Sequence, residues 1–174
     1  QGTGQIFVRS PMLFTDYVGP QVDHTAAVRE GEWLSVRDMG YIDAQGYLCL
    51  VGRENRMVVT QGKNLFPEEV ESVLMHSPDI THASVQGLPD PIRGQQVVAV
   101  LNPSSVAAKG SMTAQELTLL CRAQLESYKV PKQFIACYQW PLTTSGKTDH
   151  AALAALLQQY LGDESSVPCL HPIL

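Results

Sequence analysis

A short polar segment between two apolar runs constrains this chain more than any other feature. The run from Tyr47 to Val51 has the composition of a buried strand, residues 53–56 are all polar or charged, and a β-branched run resumes at Met57. No Asn-Gly turn joins the two runs, so they are poor candidates for one hairpin. The sequence therefore predicts two bodies joined by a hinge at residues 53–56.

Composition excludes several classes of protein. The 174 residues are 44% hydrophobic and 17% charged, which is typical of a soluble globular protein with one domain, or one domain and a piece of another. A net charge of −5 without a basic stripe argues against nucleic-acid binding. No apolar run is long enough for a membrane span. Four cysteines without CxxC spacing favour reduced, buried thiols and a cytoplasmic location.

The segment before the predicted hinge, residues 1–52, has the pattern of short β-strands. A hairpin is predicted with its turn at residues 44–46. These strands are too few to enclose a core, so they are expected to complete a larger β-rich domain. The chain begins in mid-pattern, without an initiator methionine or a targeting segment, and is expected to be a fragment.

The segment after the hinge, residues 57–161, alternates strand and helix signals. Pro67 is predicted to begin a helix that has acidic residues in its first turn, and the capping box Thr113–Glu116 begins a second. A last helix is predicted over residues 149–161, followed by a tail at 162–174. The predicted fold is α+β, a small C-terminal domain whose short β-sheet is flanked by helices, preceded by the β-rich piece.

Lys147 is the sharpest candidate for chemistry. It lies in Ser145-Gly146-Lys147-Thr148, where small residues would let a ligand approach and the ammonium offers three donors. An ordinary exposed lysine is the alternative interpretation. A phosphate-binding P-loop is excluded, because that motif requires glycine where this chain has Pro141.

Asp38 and Arg53 form a second candidate site. Asp38 is predicted to stand in a turn at the end of a β-rich stretch, where its two oxygens could accept both hydroxyls of a ribose. Arg53 precedes the hinge and could reach the same ligand. The alternative is a turn-forming aspartate and a surface ion pair. The histidines lack the spacing of metal ligands, and no Gly-x-Ser-x-Gly nucleophile is present.

The motifs follow one another in the order of a known enzyme family. Over roughly residues 2–155 the chain resembles the C-terminal third of the acyl-adenylate-forming enzymes, which include acyl-CoA synthetases and the AMP-dependent synthetases and ligases. The segments that carry the resemblance are Gly4–Val8 with Tyr17, Trp33–Asp43, Gly46–Leu48, Gly52-Arg53, Gly62–Glu71, Tyr128–Pro131 and Ser145–Lys147.

The resemblance implies a ligase that works in two steps. A carboxylic acid and ATP give an acyl-adenylate, after which the mobile C-terminal domain rotates and a thiol of CoA or of a carrier protein attacks. The implied cofactors are ATP, Mg²⁺, bound mainly by the large N-terminal domain, and CoA or phosphopantetheine. Matching positions imply Lys147 as the catalytic residue, Asp38 and Arg53 at the ribose, Gly62 and Lys63 in the thiol channel, and Asn55 in the hinge.

The sequence departs from the family pattern at three places. Val36-Arg37 stand where Thr-Gly usually precedes the ribose aspartate, Asn55 where the hinge usually has Asp or Lys, and His150 where arginine is common. The family's phosphate loop and acyl pocket lie upstream of these motifs, so the fragment alone is expected to be inactive. A non-catalytic module that docks a carrier protein or partner subunit is the alternative.

Overall fold

The computed structural model describes residues 2–15, 28–104, 113–162 and 167–174. The chain divides into two compact units, Gln1–Met57 (unit 1) and Val58–Leu174 (unit 2). Tyr17 and most of the predicted loop at 14–20 lie outside the described residues, as does most of the loop predicted at 102–109. None of the described helices is long and apolar enough to cross a membrane.

Unit 1 is built around its longest strand. Strand β3 (Trp33–Ile42) pairs antiparallel with β1 (Gly4–Val8), β2 (Arg29–Glu30) and β4 (Leu48–Arg53). The hairpin β3–β4 forms where the sequence predicted it, because Asp43 Oδ1 accepts the N–H groups of Gln45 and Tyr47 and so closes the turn. A single 3₁₀ turn, Glu54–Arg56, follows β4.

The position predicted for Asp38 is wrong. Asp38 lies in the middle of β3, not in a turn. Arg37 adopts a left-handed conformation with φ of +58°, and the β3–β4 register shifts between Met39 and Gly40. The strand absorbs these irregularities as a bulge and continues, so the turn-like sequence does not end it.

Unit 2 begins with a hairpin of β5 (Val58–Thr60) and β6 (Lys63–Leu65). Only Gln61 and Gly62 form its turn, and both have positive φ, as a two-residue hairpin requires. Lys63 follows this turn as the first residue of β6.

A four-stranded sheet in the order β10-β9-β8-β7 forms the centre of unit 2. Its strands are β7 (Ile80–Asp90), β8 (Gly94–Pro103), β9 (Gln133–Cys137) and β10 (Leu170–Pro172). The β8–β9 pair is parallel, and the other two pairs are antiparallel. Residues 97–101 of β8 are all buried, as expected for a continuous apolar run with a core on each face.

Three helices cover the two faces of this sheet. They are α1 (Pro67–Leu74), α2 (Ala114–Gln124), which begins at the predicted capping box, and α3 (His150–Gly162). The β5–β6 hairpin, α1 and α2 share one apolar core with the first face, whereas α3 and the segment 167–170 share another with the second. The mixed α and β fold predicted for this part of the chain is confirmed.

The predicted tail is also wrong in part. Residues 170–172 form β10, which pairs with β9, and the backbone N–H of Ile173 donates to the carbonyl of Phe134. Leu170 is buried in the second core. The short segment looks like a tail because it has too few residues to show strand periodicity.

Candidate functional site

Asp38 and Arg53 face each other across β3 and β4. They are directly paired residues of the two strands, and Arg53 Nε lies 3.2 Å from Asp38 Oδ1. The Asp38 side chain is 29% exposed and the Arg53 side chain 65% exposed, so both groups remain open to a ligand. The structure thus brings together the two residues predicted at the ribose, as a carboxylate held beside a guanidinium.

Arg37, the residue before Asp38, keeps the backbone conformation of a glycine. Its φ of +58° is one that residues with a Cβ rarely adopt, and its N–H donates to Ser35 Oγ at 3.0 Å. Glycine is the usual residue here in the resembling family. The backbone before Asp38 is therefore one that glycine would adopt without strain.

Lys147 lies near the exposed tip of a closed loop in unit 2. The backbone of the loop pairs in antiparallel fashion, since Asp149 N–H donates to Pro141 O at 3.0 Å and Thr143 N–H donates to Lys147 O at 2.7 Å. Gly146 makes the reversal with φ of +78°. Lys147 N–H donates to Thr143 Oγ1, so the backbone of the lysine is fixed while its side chain projects from an exposed position.

The base of this loop rests on β7. The ring of His82 stacks on Trp140 at 5.5 Å between centroids, and Trp140 Nε1 donates to Thr148 Oγ1. Ser84 Oγ, which is fully buried, lies 3.0 Å from His150 Nδ1. Sequence reasoning missed these contacts, because Ser84 and His150 are 66 residues apart in the chain.

Lys63, at the start of β6, lies beside a second family motif, Tyr128–Pro131. Lys63 Nζ is 4.6 Å from the centroid of the Tyr128 ring, a cation–π contact. Lys129 follows Tyr128 in the chain, and its Nζ lies 2.9 Å from each carboxylate oxygen of Glu69. The two segments therefore form one surface with an aromatic face and two cations.

Other candidate chemistries find little support in the described part of the chain. No three His, Cys, Asp or Glu side chains converge there in a group that could hold a metal ion. Burial raises the pKa of the Cys121 and Cys137 thiols to about 11, which disfavours their thiolates. Cys49 and Cys169 are partly exposed, so the prediction that the cysteines are buried holds for two of the four.

Residues 69–147 match the family described as "AMP-binding enzyme C-terminal domain". An acyl–CoA ligase of Bacillus subtilis, YhfT, is 39% identical over 156 residues, which are 90% of this chain and 30% of the ligase. The chain is therefore similar to the C-terminal part of the acyl-adenylate-forming enzymes. The resemblance drawn from the motifs is confirmed, although the chain spans only about 30% of the length of such relatives.

Solved structures of this family share the fold. The o-succinylbenzoate CoA synthetase MenE from Bacillus subtilis, bound to its acyl-adenylate, superposes with a TM-score of 0.75 at 30% identity and covers 87% of this chain and 30% of its own. The amide bond synthetase McbA from Marinactinospora thermotolerans gives a TM-score of 0.77 at 32% identity, covering 88% of this chain and 31% of its own. MenE has also been solved with ATP and a magnesium ion.

Proposed function

We propose that this chain is the C-terminal portion of an AMP-forming acyl-CoA ligase. The observation that carries the proposal is the exposed Lys147 on a closed loop at the end of the segment that matches the AMP-binding enzyme C-terminal domain. Both backbone groups of Lys147 are hydrogen-bonded to Thr143, so the point from which the side chain projects is fixed. The enzyme is an acid–thiol ligase whose activity requires a longer chain.

Lys147 serves the first half-reaction. The substrate carboxylate attacks the α-phosphorus of ATP, an acyl-adenylate forms, and pyrophosphate leaves. Negative charge grows on the oxygens of the α-phosphate in the transition state, and the Lys147 ammonium donates hydrogen bonds to them and to the carboxylate. Because the loop already holds the lysine backbone in place, little reorganisation is needed during the reaction.

Asp38 and Arg53 bind the ribose of ATP. Both ribose hydroxyls can donate to the Asp38 carboxylate, and the Arg53 guanidinium beside it holds that carboxylate in its orientation. Mg²⁺ is assigned to a part of the enzyme outside this chain.

Gly62, Lys63 and Asn55 serve the second half-reaction. Asn55, in the 3₁₀ turn Glu54–Arg56, is the hinge about which the C-terminal domain turns once the adenylate has formed. The Gln61-Gly62 turn then lines the channel for the thiol, and Lys63 lies at its edge beside Tyr128. Each ligand favours one of two orientations that differ by a few kcal/mol.

The acceptor in this proposal is the thiol of CoA. The curated relatives are named as CoA ligases, which also disfavours the alternative of a non-catalytic docking module. McbA is an amide bond synthetase, so an amine acceptor is the second candidate. A carrier-protein thiol and a cytoplasmic location stay predictions.

The test compares the two half-reactions in the natural protein that carries this chain. Lys147→Ala should lower acid-dependent ATP–pyrophosphate exchange by roughly 10²–10³, the scale of losing one preorganised charge-stabilising group. Formation of thioester from a supplied acyl-adenylate and CoA should change far less. Lys132→Ala, at another exposed lysine of unit 2, is the matched control. Equal losses in both half-reactions would refute the role of Lys147, and a wild type without acid-dependent exchange would refute the proposed ligase.

A further inference from the structure

The loop that carries Lys147 is held at both ends by the same strand. Trp140 directly precedes the loop and His150 directly follows it, and they contact His82 and Ser84 of β7, respectively. His82 and Ser84 are two residues apart, so their side chains lie on the same face of the strand. We call the five residues that join this loop to β7 the loop support: His82, Ser84, Trp140, Thr148 and His150.

Strand β7 is a rigid base for the loop support. It pairs with β8 from Ile80 to Asp90, the longest ladder in the molecule's described part, and its partner at Ser84 is the fully buried Val100. Motion of the loop relative to β7 would require one of the two contacts at its ends to break. A lysine side chain has four flexible bonds, so its ammonium can be placed precisely only if its backbone is anchored.

The buried hydroxyl of Ser84 argues for a specific task. On the same face Leu88, Val98 and Val100 belong to the second core, and the polar side chains of His82 and Gln86 lie two residues to either side of Ser84 along β7. Burial of a hydroxyl is unfavourable unless it is hydrogen-bonded, and its recorded partner is the imidazole at the first residue of α3. An apolar side chain would serve the core as well, so the hydroxyl is best explained by its bond to His150, three residues after Lys147.

We infer that Ser84 and His150 are positioning residues for Lys147, and that their hydrogen bond sets the placement of the lysine during adenylation. Asp149 Oδ1 caps α3 by accepting the N–H of Ala152, so the helix start and the loop end move as one piece. Holding His150 against β7 therefore holds the C-terminal end of the loop. The inference rests on the proposed function, since it assigns a purpose to the placement of Lys147.

The first measurement is hydrogen exchange of backbone amides in peptides that cover residues 141–149 of the natural protein. Ser84→Ala and His150→Ala should speed this exchange about fivefold, the effect of losing one hydrogen bond. His150→Asn should remain close to wild type, because the asparagine amide can occupy the place of Nδ1. Thr118→Ala, which removes a side-chain hydrogen bond to Ala114 O in α2, is the matched control and should leave the loop unchanged.

The second measurement is the rate of each half-reaction. Ser84→Ala should lower kcat for ATP–pyrophosphate exchange about five- to tenfold with little change in KM, and should spare thioester formation from supplied adenylate. His150→Asn should restore most of the loss seen in His150→Ala. In a Lys147→Ala background, Ser84→Ala should have no further effect on exchange, because the residue it positions is gone.

Two results would overturn the inference while leaving the ligase intact. One is unchanged amide exchange at 141–149 in Ser84→Ala, and the other is an equal further loss of adenylation in the Lys147→Ala background. A wild type that lacks acid-dependent ATP–pyrophosphate exchange would overturn the proposed function and the adenylation role assigned here with it.

Discussion

Asp38 and Arg53 occupy paired positions of β3 and β4, and their charged groups are 3.2 Å apart. Their proximity follows from strand register, and it does not depend on any loop. The bulge between Met39 and Gly40 sets that register, since a change of one residue would move Asp38 to the opposite face. The two groups of the proposed ribose site are therefore already in contact in the protein without a ligand.

Arg53→Ala should weaken ATP binding with little effect on stability. A hydrogen bond to a charged group contributes about 1.5–3 kcal/mol, so the Kd for ATP of the full protein should rise roughly tenfold or more. The free energy of unfolding should change by less than about 1 kcal/mol, because the Arg53 side chain is well exposed. Arg9→Ala, which breaks an exposed ion pair with Glu32 in the same unit, is the control. If Arg53→Ala and Arg9→Ala raised the Kd for ATP equally, the proposed role of Arg53 at the ribose would be contradicted.

Arg37→Gly should stabilise unit 1. The left-handed backbone at φ of +58° costs a residue with a Cβ about 1–2 kcal/mol, and the greater freedom of unfolded glycine offsets part of the gain. A net increase of about 0.5–1 kcal/mol in the free energy of unfolding is expected by urea denaturation. Arg37→Ala keeps the strained backbone and removes the charge, so it should not stabilise. A similar increase in the free energy of unfolding in both variants would show that the gain comes from removing the charge of Arg37, not from relieving its backbone.

Asn55→Pro should separate the two half-reactions. Proline fixes φ near −65° and so restricts the backbone change that a rotation about residues 53–56 requires. Adenylation should persist, and transfer to the thiol should fall at least tenfold, as measured with CoA after the adenylate has formed. Asn55→Ala removes the side chain and leaves the backbone free, so it should retain both steps. Survival of thiol transfer in the proline variant would place the hinge elsewhere.

The capping box of α2 should contribute a pH-dependent part of stability. Hydrogen bonds from the Thr113 hydroxyl and then from its backbone N–H lower the pKa of the Glu116 carboxyl in the folded protein. A depressed folded pKa stabilises the protein above the unfolded pKa, and this stabilisation is lost as the pH falls through the folded pKa. The Tm difference between wild type and Glu116→Gln should therefore narrow as the pH falls from about 6 to 3. A Tm difference that does not change with pH would show that the charge of Glu116 does not contribute to stability.

Local patterns in the sequence predicted most of the helices and hairpins. Proline at Pro67, the Thr113–Glu116 box and the apolar spacing after Asp149 act within a few residues, so α1, α2 and α3 begin within one residue of their predicted starts. Lys147, Asp38 and Arg53 could be selected only because their motifs occur in a known order. From local composition alone, each of the three could also be interpreted as an ordinary surface residue.

Contacts between distant residues could not be predicted in this way. The pairing of β10 with β9, the bond between Ser84 and His150 and the position of Lys63 beside Tyr128 each join segments more than 30 residues apart. Glu71 is a further case, because its Oε1 accepts the N–H of Val85 on β7. Such contacts depend on which strands become neighbours, and a single sequence does not state this directly.

The pairing of β10 with β9 also has a consequence for the order of folding during synthesis. Residues 170–174 supply the edge of the central sheet, and the carbonyl of Leu174 accepts the N–H of Ala114 at the first residue of α2. Unit 2 therefore cannot complete its sheet until residues 170–172 have left the ribosome. Until then the edge of β9 and the apolar face that Leu170 covers stay accessible, and an unpaired strand edge beside an apolar face favours aggregation.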